Sequence, residues 1–229
     1  MLAANVRVTC IGLPEGDYRL VQLPSGTRGY IHESALTDFY ERVAIVRSVP
    51  VLTADTGVTT EEEAAARLMT LSAYFEDGRY WNCCGTGLTT SSDNLFCITD
   101  TPCSHSLRGY SGCNIYSCGM NEALGYGSGT QCLGYVGLLS DLTFGTDAPI
   151  TEHNDWNRVR VGDHIRLVLW DHSTLVTEVG QDEDGSTYFY VTDVNADYET
   201  CQINWGHKFT KADLRRLGDY IRVFTRYTD

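Results

Sequence analysis

Cys132 and His172 are the two residues of this chain whose settings best suit covalent chemistry. A thiol is a weak nucleophile at its free pKa of about 8.5, and the thiolate is the form that attacks. Cys132 follows the glycine-rich run Gly125-Tyr-Gly-Ser-Gly-Thr130 and lies in the stretch Gln131-Cys-Leu-Gly-Tyr-Val-Gly-Leu-Leu-Ser-Asp-Leu142. That stretch is expected to be a helix with Cys132 in its first turn and Tyr135, Leu138, Leu139 and Leu142 on its buried face. A thiolate there is stabilised by the unpaired N–H groups of the helix start. The same groups, the Cys132 N–H first among them, can hold an oxyanion. A buried structural cysteine is the plain alternative, and local context weighs the two evenly.

His172 lies in Asp171-His-Ser-Thr-Leu-Val-Thr-Glu-Val179, after a Trp170-Asp171 turn and before a returning strand. An imidazole at a strand edge, facing a helix start, can take the thiol proton and later protonate a leaving amine. A lone turn histidine is more often a solvated surface residue; the helix-borne cysteine raises His172 above that reading. His164 is expected to face outward and is the weaker candidate. A base needs an orienting partner. Asp193 and Asn195, in Val191-Thr-Asp-Val-Asn195, are expected on one side of a strand, and spacing does not choose between them.

The elements that must position these residues follow in order. Val6, Val8 and Cys10 alternate with polar residues, and Pro14-Glu-Gly-Asp17 and Pro24-Ser-Gly26 are turn signals, so residues 5–35 read as β. Residues 43–53 suggest a further strand and a linker. Thr59-Thr60 with Glu62 and Glu63 is a capping-box pattern, and Ala64, Leu68, Leu71 and Phe75 recur at helical spacing, so a helix is predicted from about 60 to Asp77-Gly78. From Arg158 onward the chain reads as β: Ile165, Leu167 and Leu169 alternate, Asp182-Glu-Asp-Gly185 is a hairpin turn, and 187–194, 202–205 and 220–225 are strands. Thr210-Lys-Ala-Asp213 caps a short helix. Helices followed by an antiparallel meander give an α+β fold. The expected division is a small β module with linker over 1–55 and a larger domain over 56–229, with a Cys-rich insert at about 82–130.

Composition narrows the classes of function. Seventeen Lys and Arg against 30 Asp and Glu give a net charge of −13, which argues against nucleic acid as a partner. No apolar run is long enough for a membrane span, and the start lacks the regions of a signal peptide. Nine cysteines favour an oxidising compartment, and six of them lie between 83 and 118. Disulfides are the favoured reading of the insert. A zinc site drawn from Cys97, Cys103, His105, Cys113 and Cys118 is the alternative, weakened by the lack of a close C-x2-C pair. Tyr110, Tyr116 and Tyr126, with Trp81 and Trp205, are candidates to line a sugar or peptide groove; packing around cross-links explains each equally well.

Taken as an ordered set, several short motifs resemble the CHAP amidases and NlpC-type cell-wall peptidases. Gln131-Cys-Leu-Gly-Tyr-Val136 resembles their nucleophile motif. Val161-Gly-Asp163 resembles the Gly-Asp entry to the next strand, and Asp171-His-Ser-Thr-Leu-Val-Thr177 the base strand. Asp193-x-Asn195 resembles the polar pair that follows, and Tyr80-Trp81 an aromatic pair upstream of the nucleophile. Gly29-Tyr-Ile-His-Glu-Ser-Ala-Leu36 is similar to the end of a bacterial Src-homology-3-like barrel, a full copy of which would need more chain. The insert between Tyr80 and Cys132 is longer and richer in Cys than in that family. The resemblance implies a papain-like fold and a secreted, extracellular or wall-associated setting. It implies hydrolysis of amide bonds in peptidoglycan, either within stem peptides or at the muramoyl link. Cys132, His172 and Asp193 or Asn195 would be catalytic, and Tyr80, Trp81, Gln131 and Trp205 would meet substrate. No metal or organic cofactor is required for that chemistry. A non-catalytic glycan- or peptide-binding module on the same fold is the rival expectation, and a zinc-stabilised interaction protein a third.

Overall fold

The computed structural model describes residues 9–15, 18–22, 28–32, 49–87, 95–109 and 111–228. The chain divides into two compact units, Met1–Val46 and Arg47–Asp229. In the first, β1 (Thr9–Glu15), β2 (Tyr18–Gln22) and β3 (Arg28–His32) form an antiparallel sheet in chain order. Glu15 pairs with Tyr18, so the Pro-Glu-Gly-Asp turn signal falls where the chain reverses. Residues 43–48, part of the expected extra strand, lie outside the described residues, and 49–53 carry no strand. Residues 49–55 fall within the second unit. Thr53 and Ala54 accept backbone hydrogen bonds from Thr146 (2.9 Å) and Asp147 (3.0 Å), which ties this segment to the end of a helix described below.

The second unit is α+β, with five helices and an open six-stranded sheet among the described residues. Helix α1 spans Glu61–Ser72. Thr60 caps it, its side chain accepting from the Glu63 N–H while Glu63 accepts from the Thr60 N–H. Such a cap is worth about 1 kcal/mol. The helix stops five residues before the expected Asp77-Gly78: Ala73 is its C-cap, and Phe75 is buried from the turn that follows. Two short helices, α2 (His105–Arg108) and α3 (Gly119–Ala123), interrupt the Cys-rich insert, where the sequence shows no periodicity.

Helix α4 spans Gln131–Phe144, and every residue from Cys132 to Phe144 is buried. The expected single buried face is therefore an underestimate. A helix apolar nearly all round is covered on all sides, and Gly134 and Gly137 let neighbours approach it. A side chain at Gly137 would meet the Cys118 sulfur at 2.7 Å, and one at Gly134 would run into the Gly129 carbonyl.

The strands are β4 (Thr151–His153), β5 (His164–Leu167), β6 (His172–Gln181), β7 (Thr187–Val194), β8 (Ile203–Thr210) and β9 (Ile221–Thr225). Their order in the sheet is β4-β9-β5-β6-β7-β8, and every pair is antiparallel. Strand β4 carries no clear signal in the sequence, whereas 187–194 matches β7 residue for residue. Helix α5 (Lys211–Leu217) has the expected Thr210–Asp213 capping box. Leu175, Val194 and Ile203 join α1 and α4 in one core; Ile165, Val176, Phe189, Val191 and Val223 join Trp156 in a second. Because neighbours along a strand point to opposite faces, adjacent Leu175 and Val176 belong to different cores, and the sheet separates them. Strand β5 has no solvent face: all four of its residues are buried, and Leu169, expected to continue the alternation, is exposed in the turn beyond.

Candidate functional site

The start of α4 and the start of β6 meet at Cys132 and His172. Thr130 is the N-cap of α4, and Gln131 has a left-handed φ of 53°. That conformation costs a non-glycine residue on the order of 1 kcal/mol, and it turns the chain sharply into the helix at Cys132. Cys132 is 6% exposed. Burial pushes its thiol up. The nearby His172 ring and its charge, the Ser173 N–H and the Arg166 guanidinium together outweigh burial and hold it below its ordinary value.

His172 stands between the helix start and the sheet. Its Nε2 lies 3.0 Å from Asp193 Oδ2, which leaves Nδ1 for the thiol. Burial lowers the His172 pKa, but Asp193 and Cys132 overcome it and raise the ring to about 10. Both shifts favour a thiolate–imidazolium pair at neutral pH.

Of the two candidate orienters, the structure brings Asp193 to the ring and not Asn195. Strand β7 ends at Val194, and Asn195 turns away with a φ of 63°. Its side-chain oxygen accepts from the Cys201 N–H at 3.4 Å. Asn204, which pairs with Asp193 across β7 and β8, donates to Asp193 Oδ1 at 3.1 Å. His172, Asp193 and Asn204 thus form one chain of polar contacts, and no local pattern singled out Asn204 in advance.

The expected substrate-contacting residues divide. Trp205 lines a cavity of about 550 Å³ that His172, Asp193, Asn204, Trp170 and His207 also line; Cys132 is not part of its wall. Trp205 also donates from Nε1 to the Phe75 carbonyl at 2.6 Å. Gln131 is half-buried beside Cys132, with Nε2 3.4 Å from His105 Nδ1. Trp81 is a correction: it is fully buried, donates from Nε1 to the Leu95 carbonyl at 2.7 Å and packs against Tyr135. A large apolar ring with its one polar atom satisfied belongs to the core. Tyr80 is half-buried, and its backbone bridges Thr99 and Gln202. Tyr116 is buried on Asp141, Tyr126 is exposed, and Tyr110 lies outside the described residues. The exposed rings of Trp170 and Tyr198 lie 6.1 Å apart and tilted at 59°, with Tyr198 also beside the His172 ring.

His164 is a second correction. It is fully buried, between Ser173 Oγ (2.9 Å from Nε2) and Met120 Sδ (3.1 Å from Nδ1). Burial and the adjacent Arg166 charge push its pKa down to about 3, so it is neutral and titrates outside the working range. Arg166 itself was not foreseen. It is buried, donates to Ser173 Oγ (3.1 Å) and to the Tyr126 hydroxyl (2.9 Å), and pairs with Asp171. These contacts clamp the turn that carries His172. An isolated Arg in an apparent surface strand offers no signal for this role.

Asp163, of the Val-Gly-Asp motif, is fully buried at the entry to β5. Its Oδ2 accepts from the Arg160 N–H at 2.8 Å, while Oδ1 has no partner. Burial is the largest influence and lifts its pKa to about 7, against the opposing effects of Thr225 and Arg160. The folded state therefore holds a proton that the unfolded chain releases near pH 4. Stability falls as pH rises from about 4 through 7, and the penalty is complete above that. Asp163→Asn removes the titration while keeping the shape. At pH 8 the variant is expected to be more stable than the parent by on the order of 3 kcal/mol, with the gap closing toward pH 4. Urea unfolding of both proteins at pH 4.5 and 8 measures it; parallel changes in the two would rule it out.

Among the described residues, none of the eight cysteines from Cys83 to Cys201 is joined to another in a disulfide, so the favoured expectation of disulfides in the insert is not met. Neither the known protein families nor the curated proteins or solved structures provide a match to this chain.

Proposed function

We propose that this protein is a cysteine hydrolase that cleaves amide bonds in bacterial cell-wall peptidoglycan, with Cys132 as nucleophile, His172 as acid–base and Asp193 as the group that orients the imidazole. The observation that carries the reading is the continuous line from the Cys132 thiol at a helix start, through His172, to Asp193 at 3.0 Å, with the thiol held down and the imidazole held up.

In the reaction, His172 Nδ1 receives the Cys132 proton and the sulfur attacks the carbonyl carbon. Negative charge on the carbonyl oxygen is met by the N–H groups of the α4 start. The imidazolium gives its proton to the departing amine, and a water molecule, deprotonated by His172, resolves the acyl-enzyme. Asp193 keeps Nε2–H pointed at itself throughout, so Nδ1 stays aimed at the sulfur. The exposed rings of Trp170 and Tyr198 offer a wall for a peptide or sugar beside the imidazole. Peptidoglycan as substrate, a papain-like arrangement of α4 on the sheet, a Src-homology-3-like character for β1–β3 and a wall-associated location all rest on the motif resemblance.

The test is digestion of purified peptidoglycan with mass analysis of the fragments, comparing the parent with Cys132→Ala. Release of new amino termini by the parent alone is expected, and the fragment masses name the bond. Binding of peptidoglycan by both proteins without release of fragments would replace this reading with that of a non-catalytic binding module.

A further inference from the structure

We propose that Cys103, His105, Cys113 and Cys201 form a structural zinc site that fastens the Cys-rich insert to the connection between β7 and β8. Their four ligand atoms all lie within 4.8 Å of one another. Cys103 Sγ is 3.6 Å from Cys113 Sγ, and Cys113 Sγ is 3.8 Å from Cys201 Sγ. His105 Nε2 is 3.3 Å from Cys113 Sγ and 3.4 Å from Cys201 Sγ.

These spacings discriminate between metal and disulfide. A tetrahedral zinc with Zn–S of about 2.3 Å and Zn–N of about 2.0 Å sets its ligands roughly 3.8 Å apart for sulfur pairs and roughly 3.5 Å for nitrogen to sulfur. A disulfide needs about 2.05 Å, and it would join only two of three sulfurs that stand at similar distances. Three thiols and one imidazole nitrogen converging on a point, three of the four residues buried, are the donor set of a closed Cys3His site.

The surroundings of the ligands suit a metal as well. His105 Nδ1 lies 3.2 Å from the Tyr198 carbonyl, which selects the tautomer whose Nε2 lone pair faces the sulfurs. Cys84 can donate its S–H to Cys103 Sγ at 3.7 Å. Around Cys201 the backbone is held in an unfavourable state: Asn195, Tyr198 and Cys201 all have left-handed φ values of 63°, 62° and 55°. Strain of this kind persists where the surroundings over-determine it, and a metal bond to Cys201 would do so. Around the cluster, Cys103 N–H donates to the Thr200 carbonyl and Ser106 Oγ to Glu199, so ligands from both segments are already docked. Of the five residues first considered for zinc, the structure keeps Cys103, His105 and Cys113. Cys97 and Cys118 drop out, and Cys201 comes from 88 residues beyond Cys113.

The experiment is metal analysis of the full chain purified from zinc-supplemented cells, alongside Cys201→Ser and Cys132→Ala. About one zinc per chain is expected in the parent and in Cys132→Ala, whose nucleophile lies outside the cluster, and at least a tenfold loss in Cys201→Ser. If Cys201→Ser does not fold, replacing zinc by cobalt in the parent provides the second measurement. Intense d–d absorption with thiolate charge-transfer bands is expected for a tetrahedral Cys3His site. Folded parent without zinc, a cobalt spectrum of octahedral type, or an intact mass showing a disulfide among these cysteines would overturn the proposal. Retention of zinc by Cys132→Ala with no hydrolysis by the parent would leave this site standing while removing the enzymatic reading.

Discussion

Replacement of His172 by alanine is expected to slow alkylation of Cys132 by iodoacetamide at pH 6.5 at least about a hundredfold. Burial is the largest single influence on the Cys132 thiol, and it raises the pKa; the imidazole is the chief opponent. Without the ring, the burial that pushes the thiol up is opposed only by the Ser173 N–H and the Arg166 charge, so little of it is thiolate at that pH. Hydrolysis should fall further, by about 10³-fold or more, because the proton needed by the leaving amine is lost as well. The parent should also lose hydrolysis as pH rises through about 10, where His172 gives up its proton. The raised pKa of His172 itself adds stability that is fully present below the ordinary imidazole value and is lost as pH rises from there through about 10. Time-resolved mass analysis of the labelled peptide gives the alkylation rate. Equal rates in parent and variant would show that the imidazole does not activate the sulfur.

The largest effect on stability is expected from Arg226→Met. Arg226 Nη1 donates to Asp141 Oδ1 at 2.9 Å, with side chains only 1% and 4% exposed. Its Nη2 donates to the Gly145 carbonyl at 2.7 Å, and the Tyr116 hydroxyl donates to the other Asp141 oxygen at 2.6 Å. This network joins the end of α4 to the segment after β9 and to the insert. Removing the guanidinium strands a buried carboxylate, which typically costs about 3–5 kcal/mol. The double variant Arg226→Met, Asp141→Leu should recover much of that loss, because no charge is then left unpaired. Urea denaturation of the single and double variants measures both. A single variant that loses less than about 1 kcal/mol would mean that the pair is not sealed from water.

Sequence features that act over a few residues were legible in advance. The Thr60–Glu63 and Thr210–Asp213 boxes, the helix opening at Cys132 and the strand 187–194 depend on neighbours in the chain, and each stands where its local pattern puts it. A helix start at Cys132 and a hairpin edge at His172 are local signals too, and both elements stand where those signals put them. Other features depend on how distant segments dock. Asp193 holds the ring and Asn195 does not, because β7 ends between them. Trp81 is core rather than wall, because α4 closes over it. Arg166 is a buried clamp, because both faces of β5 are covered. Cys201 completes a four-ligand cluster with residues 88 or more positions away, because the β7–β8 connection folds back onto the insert. Periodicity reports which residues share a face. Only the register of the sheet and the packing of α4 against it decide which faces, and which side chains, come together.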